Sequence, residues 1–352
     1  MNSKEIEKLN MLFDKHISKL DNYTLCIICN KKQDNTTTTL GQYNYDTEYL
    51  SENEFEQIVN LFSQIKINTE YFLNEDEFIN FYFKIPQYRQ KKLIVYNAAQ
   101  SGTGAGRKSL IPAFCNLHNI ICTGSDAYVV SLCRHKYHVN KILASAGIAV
   151  PQTYLYSDKW AMDSSPGLNE KIILKPIYES ASIGIDSNSV IEYTPSLDKT
   201  ILKRVKELKQ PFIAQKFITG YEVENPVIII KNSIFTLPPV GLSCNGELQM
   251  GKRFLDYSKI YNDDYGFFDF RDIAKIKFDE TIKNTVKILN MYGLCRIDFR
   301  IDEKQNYYIT DVSTNPHFIN HSSVHNSFLY NGLDKVDIVR SILTAAIARK
   351  KT

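Results

Sequence analysis

The stretch CRIDFRIDEKQNYYITDVSTNPHF, residues 295–318, carries Asp298 and Asp311 on two runs that read as adjoining strands. In RIDFRI, alternation sets Arg296, Asp298 and Arg300 on one face and Ile297, Phe299 and Ile301 on the other. Asp311 closes the second run, so both acids can reach one point. Two neighbouring carboxylates repel in a partly dry site unless a cation lies between them or one takes up a proton. Oxygen ligands of this kind suit magnesium, which binds through one or two carboxylates and completes its shell from substrate phosphates. The same residues also fit a plainer arrangement, with Asp298 paired to Arg296 or Arg300 on a solvated face and Asp311 capping a turn.

Two further segments bear on that choice. LKPIYESASIG places Lys175 at the end of an apolar strand, followed by Ser180, Ala181, Ser182 and Gly184. The backbone N–H groups of such small residues can approach an anion closely, a composition that phosphate loops share with ordinary serine-rich turns. FIAQKFITGYEVENPV sets Gln215 and Lys216 at a strand end and Glu222 just after a glycine turn. Glu222 could accept hydrogen bonds from ribose hydroxyls or stand as a surface charge.

The elements that must position these groups alternate in the first third: helix 4–19, strand YTLCIIC, helix 52–65, a strand near 69–73, strand KLIVYN and helix 109–117. Such alternation predicts a parallel sheet with helical crossovers. A boundary is expected near residue 124, giving units 1–123, 124–217 and 218–352. The middle unit reads as compact α+β. The last contains strands around 221–240, a helix DIAKIKFDETIKNTVKILNMYG, the opening hairpin and a closing helix DKVDIVRSILTAAIARK. No repeat is present, and NTTTT is the one low-complexity run.

Bulk properties set limits. The 352 residues, 43% hydrophobic, can bury a large core, and 42 basic against 39 acidic residues leave a net charge of +3 with no basic stripe for nucleic acid. No run reaches the roughly 20 apolar residues of a membrane helix, and the charged amphipathic start lacks the apolar centre of a signal peptide; a soluble cytoplasmic protein is expected. Seven cysteines at irregular spacings read as reduced and buried, and the C-x-x-C of Cys26 and Cys29 points to opposite faces of a strand. His135, His138, His317 and His325 show no spacing that demands a metal.

Taken in order from about Leu110 onward, these pieces resemble the ATP-grasp superfamily, and within it the D-alanine:D-alanine ligase family. The resemblance rests on Lys136 after TGSDAYVVSLCRH, on Lys175-Pro176 with YESASIG, and on Gln215, Lys216, Gly220 and Glu222. It continues through Arg296-x-Asp298, Asp311 with Thr314 and Pro316, and His321-Ser322. It implies an ATP-grasp fold behind an N-terminal parallel-sheet domain, and an ADP-forming ligase that activates a carboxylic acid as an acyl phosphate for attack by an amine, or less readily a hydroxyl.

By that resemblance Lys136 and Lys175 hold the α- and β-phosphates, with Ser180, Ala181 and Ser182 closing over the γ-phosphate. Gln215, Lys216, Phe217, Ile218 and Glu222 take the nucleoside. Asp298, Asp311 and Ser313 carry magnesium, with manganese as a substitute. Arg296 stabilises the tetrahedral oxyanion, aided by Ser182 and by Lys259 of the closing loop FLDYSKIY. Tyr257, Asn315, His317, His321 and Ser322 contact the substrates, Ser322 taking the second substrate's carboxylate. Small-molecule acids and amino-acid-like acceptors are the implied partners, and a homodimer is the family's habit.

Departures are visible in the sequence. Asp311 is shorter than the family's glutamate, and Ser313 replaces its asparagine, with Asn315 near enough to compensate. Lys259 stands one residue early. Where the family holds the first substrate's ammonium with acids, NAAQSGTGAGRKSL offers Arg107 and Lys108. Cations at a helix start suit a carboxylate, phosphate or other anion. Alternatively they face solvent and selectivity resides in QDNTTTTLGQYNYDTEYL, residues 33–50.

Overall fold

The computed structural model describes residues 1–32, 39–40 and 43–349; residues 33–38 and 41–42, which hold most of the NTTTT run, lie outside them. Strands β1 (Thr24–Ile28), β2 (Asn68–Phe72), β3 (Leu93–Asn97) and β4 (Ile121–Cys122) form a parallel sheet in the order β2-β1-β3-β4. Helical crossovers, among them Glu52–Ser63 and Leu110–Leu117, cover its faces, which is why β1 and β3 are buried along nearly their whole length rather than alternating. The pleat sends Cys29 with Leu25 and Ile27 into one apolar cluster and Cys26 with Ile28 into another, and all seven thiols are free.

One face of this sheet is closed by the far end of the chain. Helix Lys335–Arg349 packs Ile338, Val339, Ile342 and Leu343 into a cluster that also holds Leu9 and Phe13 of helix Ser3–Ile17 and Ile94 of β3. A helix so apolar around its circumference has to be enclosed.

A second, antiparallel sheet follows, built from β5 (Thr153–Tyr156), β6 (Lys171–Pro176), β7 (Val190–Glu192) and β8 (Phe212–Lys216) in the order β5-β8-β6-β7. The third comprises β9 (Tyr221–Ile230), β10 (Ser233–Thr236), β11 (Val240–Ser243), β12 (Gly266–Asp269), β13 (Gly293–Ile301) and β14 (Tyr307–Ser313). Its order is β12-β11-β9-β13-β14, with β10 paired to β9. Gly220 turns the chain from β8 into β9 at φ 136°, where an added Cβ would lie 1.9 Å from Ile301 O. Only glycine fits that approach.

The long helix expected from residue 272 begins at Asp279. Ala274, Ile276 and Phe278 alternate onto the core with period two, which an extended segment satisfies and a helix does not. Helices Glu75–Lys84 and Ser323–Tyr330 fall in stretches for which the sequence pattern names no element; Asn74 and Ser322 cap them by accepting from the amides of Glu77 and His325. Among the described residues no helix is long and apolar enough to cross a membrane.

Candidate active site

The register of the third sheet lines up three carboxylates across three strands: Glu224 of β9 lies opposite Asp298 of β13, and Asp298 opposite Asp311 of β14. Arg296 stands two residues along β13, opposite Ser313. A bulge after Asp298 makes Thr310 the extra residue, and its hydroxyl donates to Asp298 O at 3.3 Å. All of these border a cavity of about 810 Å³ into which Lys136, Lys175, Lys108 and Glu222 also reach.

Arg296 is clamped on two sides. Its Nε and Nη2 donate to the Asp298 carboxylate at 2.7 and 2.8 Å, and its Nη1 lies 2.9 Å from Glu224 Oε2. Burial would discharge the guanidinium, but the charges of Asp298 and Glu224 outweigh it and hold the cation firmly. Burial raises the pKa of Asp298 against the pull of Arg296, and Asp311 raises it further. Glu224 is pushed up to about 7, again mainly by burial; it also accepts a hydrogen bond from the Ser323 hydroxyl.

Asp311 faces a cation of its own, with Oδ2 3.7 Å from Lys136 Nζ. Lys136 Nζ in turn donates to Glu179 O at 2.5 Å. Lys175 donates to Gln215 Oε1 at 3.1 Å, and burial brings its ammonium down to about 8 despite the nearby Asp311. Glu222 accepts from Arg300 Nη2 at 2.8 Å, while Arg300 Nη1 is buried without a partner among the described residues. An orphaned guanidinium donor beside buried lysines is a place where a polyanion gains more than water does.

The serine loop is bent sharply. Ala181 and Ser182 have φ of 49° and 54°, and Gly184 follows at 80°. Two consecutive non-glycine residues in the left-handed region carry strain of about 1–3 kcal/mol each, which persists where the surroundings require the shape. Ser182 donates its hydroxyl to Leu255 O at 2.8 Å, tying this loop to the one before helix Tyr257–Tyr261.

A second ionic cluster borders the same cavity and adjoins the first through Lys136. Glu48 Oε1 accepts from Ser180 N at 3.1 Å and Ser180 Oγ at 2.8 Å, and from Arg134 Nη2 at 3.0 Å. Arg107 and Lys108 each lie 3.6 Å from the same carboxylate. Burial opposes ionisation of Glu48, yet Arg134, Lys108 and Arg107 together hold it well below the usual carboxylate range. Glu179 binds Arg107 Nη1 at 3.3 Å and Gln210 Nε2 at 2.8 Å.

Residues 142–344 match the family model described as D-ala D-ala ligase C-terminus. That is more than half of the chain. The chain belongs to the D-alanine–D-alanine ligase family.

It is 24% identical over 259 residues to a D-alanine–D-alanine ligase of Natranaerobius thermophilus, a match covering 70% of this chain and 68% of that one. A second such ligase, from Pelodictyon phaeoclathratiforme, is 30% identical over 226 residues, 60% of each chain. Solved structures agree in fold. The Bacillus anthracis D-alanine–D-alanine ligase complexed with ATP has a TM-score of 0.63 at 14% identity, covering 92% of this chain and 97% of that one. The VanG D-Ala:D-Ser ligase of Enterococcus faecalis has 0.62 at 16% identity, covering 92% and 99%. The fold is therefore ATP-grasp, and the family is one of ATP-dependent, ADP-forming ligases that make C–N bonds.

Within this ligase fold most of the expected residues share the cavity. Lys136, Lys175, Ser180, Ala181 and Ser182 line it, as do Gln215, Lys216, Phe217, Ile218 and Glu222. So do Arg296, Asp298, Asp311 and Ser313, and beyond them Asn315, His317, His321 and Ser322. Asn315 is anchored by donating to Asn97 O at 2.9 Å.

Three expected residues, Arg107, Lys259 and Tyr257, do not line the cavity, and Ser322, which does, has its hydroxyl turned to a local partner. Arg107 does not face the cavity: it is 3% exposed, and its Nε donates to Gln100 O at 2.6 Å while the rest of the guanidinium lies between Glu48 and Glu179. Lys259 is drawn back along its own turn to Asp256 at 2.6 Å, and Ile260 and Tyr261 line the cavity in its place. Tyr257 points to the N-terminal unit, where its hydroxyl accepts from Asn44 N at 3.1 Å and meets Thr47 Oγ1 at 2.9 Å. Ser322 uses its one hydroxyl proton on Ile319 O at 2.7 Å and accepts from His325 N, so it caps a helix instead of offering a donor.

The plainer reading of Asp298 is realised in part, because the carboxylate does pair with Arg296, although inside the cavity and not on a solvated face. Sequence reasoning did not single out Arg134 or Glu224, and it reached Glu48 only as part of the segment 33–50 offered as an alternative seat of selectivity. For Glu224 the signal was present: it follows Glu222 by two residues on one strand, so alternation sends both to one face.

Among the described residues no three His, Cys, Asp or Glu side chains converge as a ready-made metal cage. The donor set nonetheless fits magnesium. Asp298 and Asp311 supply a pair of carboxylates from neighbouring strands, and each ion pair they make leaves further oxygen lone pairs for a metal that takes its other ligands from phosphates and water.

Proposed function

We propose that this ligase uses ATP to activate a carboxylic acid that has no α-ammonium group, and joins it to an amine. The observation that carries the reading is the saturation of Glu48. An ammonium needs a carboxylate with open lone pairs, but Glu48 accepts from Ser180 and Arg134 and lies beside Arg107 and Lys108, and Glu179 is likewise engaged. Lys108 also lines the cavity beside these groups, 3.6 Å from Glu48, and its ammonium suits a hydroxyl or a second carboxylate.

In this reading Lys136 and Lys175 hold the phosphate chain of ATP, and the left-handed bend at Ala181–Ser182 turns backbone amides toward the terminal phosphate. Gln215 to Ile218 and Glu222 receive the nucleoside. Asp298, Asp311 and Ser313 would hold magnesium, which when bound neutralises charge on the bridging phosphate oxygens. The acid's oxygen attacks the γ-phosphorus, the bond to ADP breaks, and an acyl phosphate forms. The amine then attacks the carbonyl carbon, a proton leaves the nitrogen, and inorganic phosphate departs. Arg296, fixed by Asp298 and Glu224, presents its remaining N–H groups to the transient oxyanion.

The test measures ADP and phosphate release with amino acids, 2-hydroxy acids and dicarboxylates offered as the first substrate. Hydroxy acids or dicarboxylates should sustain turnover, and Lys108→Met should raise their KM. Efficient coupling of D-alanine to itself would overturn the reading.

A further inference from the structure

Arg296, Ser322, Ser323, His317 and His321 border one part of the cavity and could receive an acceptor's carboxylate, and among the described residues each of these five side chains already lies near an internal oxygen. Arg296 contacts Asp298 and Glu224. The Ser323 hydroxyl donates to Glu224, and that of Ser322 donates to Ile319 O. His321 Nδ1 lies 2.5 Å from Asp263, and His317 Nε2 lies 3.6 Å from Glu54. Glu224 is the decisive member, since its one carboxylate takes both an arginine N–H and a serine O–H, the pair of donors that a substrate carboxylate would seek.

Resting on the ligase reading above, we infer that Glu224 occupies the place of an acceptor carboxylate, so that the acceptor is an amine without a free α-carboxylate: a simple amine, a diamine or an amino-acid amide. Even with Asp298 and Asp311 committed to a cation, Glu224 alone balances Arg296. An incoming carboxylate would meet Glu224 at close range and compete with it for Arg296, and like charges in a desolvated pocket repel strongly. An amide or alkyl group in the same position meets no such penalty, and the neighbouring Leu242 and Phe267 provide apolar contact. Glu224 is thus a specificity residue.

The experiment uses the full chain with whichever acid supports ATP turnover. Hydroxylamine, a small nucleophile with no carboxylate, traps the acyl phosphate as a hydroxamate and reports the first half-reaction by itself. Alanine, alaninamide and ethylamine, each chiral one as both enantiomers, then compete as acceptors for the wild type, Glu224→Ser and Glu224→Gln. The wild type should favour alaninamide over alanine by about tenfold or more in kcat/KM, the scale of one unfavourable charge contact. Glu224→Ser, which frees Arg296 and Ser323, should cut that ratio by at least about tenfold, and Glu224→Gln should fall between.

Hydroxamate formation together with wild-type preference for free alanine would overturn this inference and leave the ligase reading standing. A ratio unchanged in Glu224→Ser would overturn it too. Absence of hydroxamate with every acid would overturn the ligase reading and take the acceptor assignment with it.

Discussion

Asp298 and Asp311 are direct partners across neighbouring strands, yet they answer to different cations: Asp298 to Arg296 at 2.7 Å, and Asp311 to Lys136 at 3.7 Å. Their two charges are thereby kept apart electrostatically in the absence of any ion, and each has an alternative partner once one arrives. Asp298→Asn should abolish turnover while leaving the circular dichroism spectrum and melting profile near those of the wild type. A fully active variant would remove the metal assignment.

Arg296 has a geometric role that lysine cannot take over, because a single ammonium cannot span Asp298 through two parallel hydrogen bonds and still reach Glu224. Arg296→Lys is expected to lower kcat by about 10²–10³-fold, as the loss of one oxyanion donor does, with little change in nucleotide affinity. Single-turnover kinetics alongside nucleotide titration would separate the two effects. A loss confined to nucleotide binding would refute the oxyanion role.

Glu48 lies among Arg107, Lys108 and Arg134, so Glu48→Gln keeps the shape and leaves three cations without their shared counter-charge. Removing one member of a buried ionic cluster costs about 3–5 kcal/mol. Chemical denaturation should register a drop of that order. A drop below about 1 kcal/mol, the worth of a surface pair, would mean that water reaches the cluster freely.

Gly220→Ala should be among the most harmful single-methyl additions in the chain. Its φ of 136° is closed to alanine, and the new Cβ would overlap the Ile301 carbonyl at 1.9 Å. A loss of at least about 3 kcal/mol is expected, with β9 and β13 forced apart at the end that carries Glu222. Native-like stability would show that the turn has another conformation within reach.

Alkaline stability follows from the buried thiols. Burial pushes Cys26, Cys29 and Cys295 up to about 12, whereas in the unfolded chain a thiol ionises near about 8.5. Between those values the unfolded state holds fewer protons than the folded one, so stability is intact below the unfolded value and declines as pH rises toward the folded value. Urea melts from pH 7 to 10 should show that decline, and Cys295→Ala should reduce its slope. Equal slopes in the two proteins would contradict the burial of Cys295.

Much of the site could be read from the chain because it lies on strands, where period two decides which face a residue takes. Arg296, Asp298 and Arg300 followed that rule into the cavity, and Glu224 would have followed it from Glu222. The parallel first sheet was likewise visible in the alternation of helical and apolar segments. Glu48 was legible only as part of the segment 33–50, because that segment has neither periodicity nor motif and the residue's role arises from contacts with Arg107, Arg134 and Ser180, far away in sequence. Arg107 misled for the complementary reason: a cation beside glycines reads as ligand-facing until a distant carboxylate turns up to neutralise it. Ser322 and Lys259 were placed by position alone, and local hydrogen bonds, a helix cap and a one-turn ion pair, decided their orientation instead.

The enclosure of helix Lys335–Arg349 between the first sheet and helix Ser3–Ile17 has a bearing on how the molecule comes into being. Synthesis proceeds from the amino end, so the apolar cluster that joins Leu9, Phe13 and Ile94 to Ile338, Ile342 and Leu343 stays incomplete until residues 335–349 have been made. Nascent chains halted short of residue 335 should therefore cling to chaperones that hold sticky apolar surfaces, and release should coincide with the arrival of that final helix.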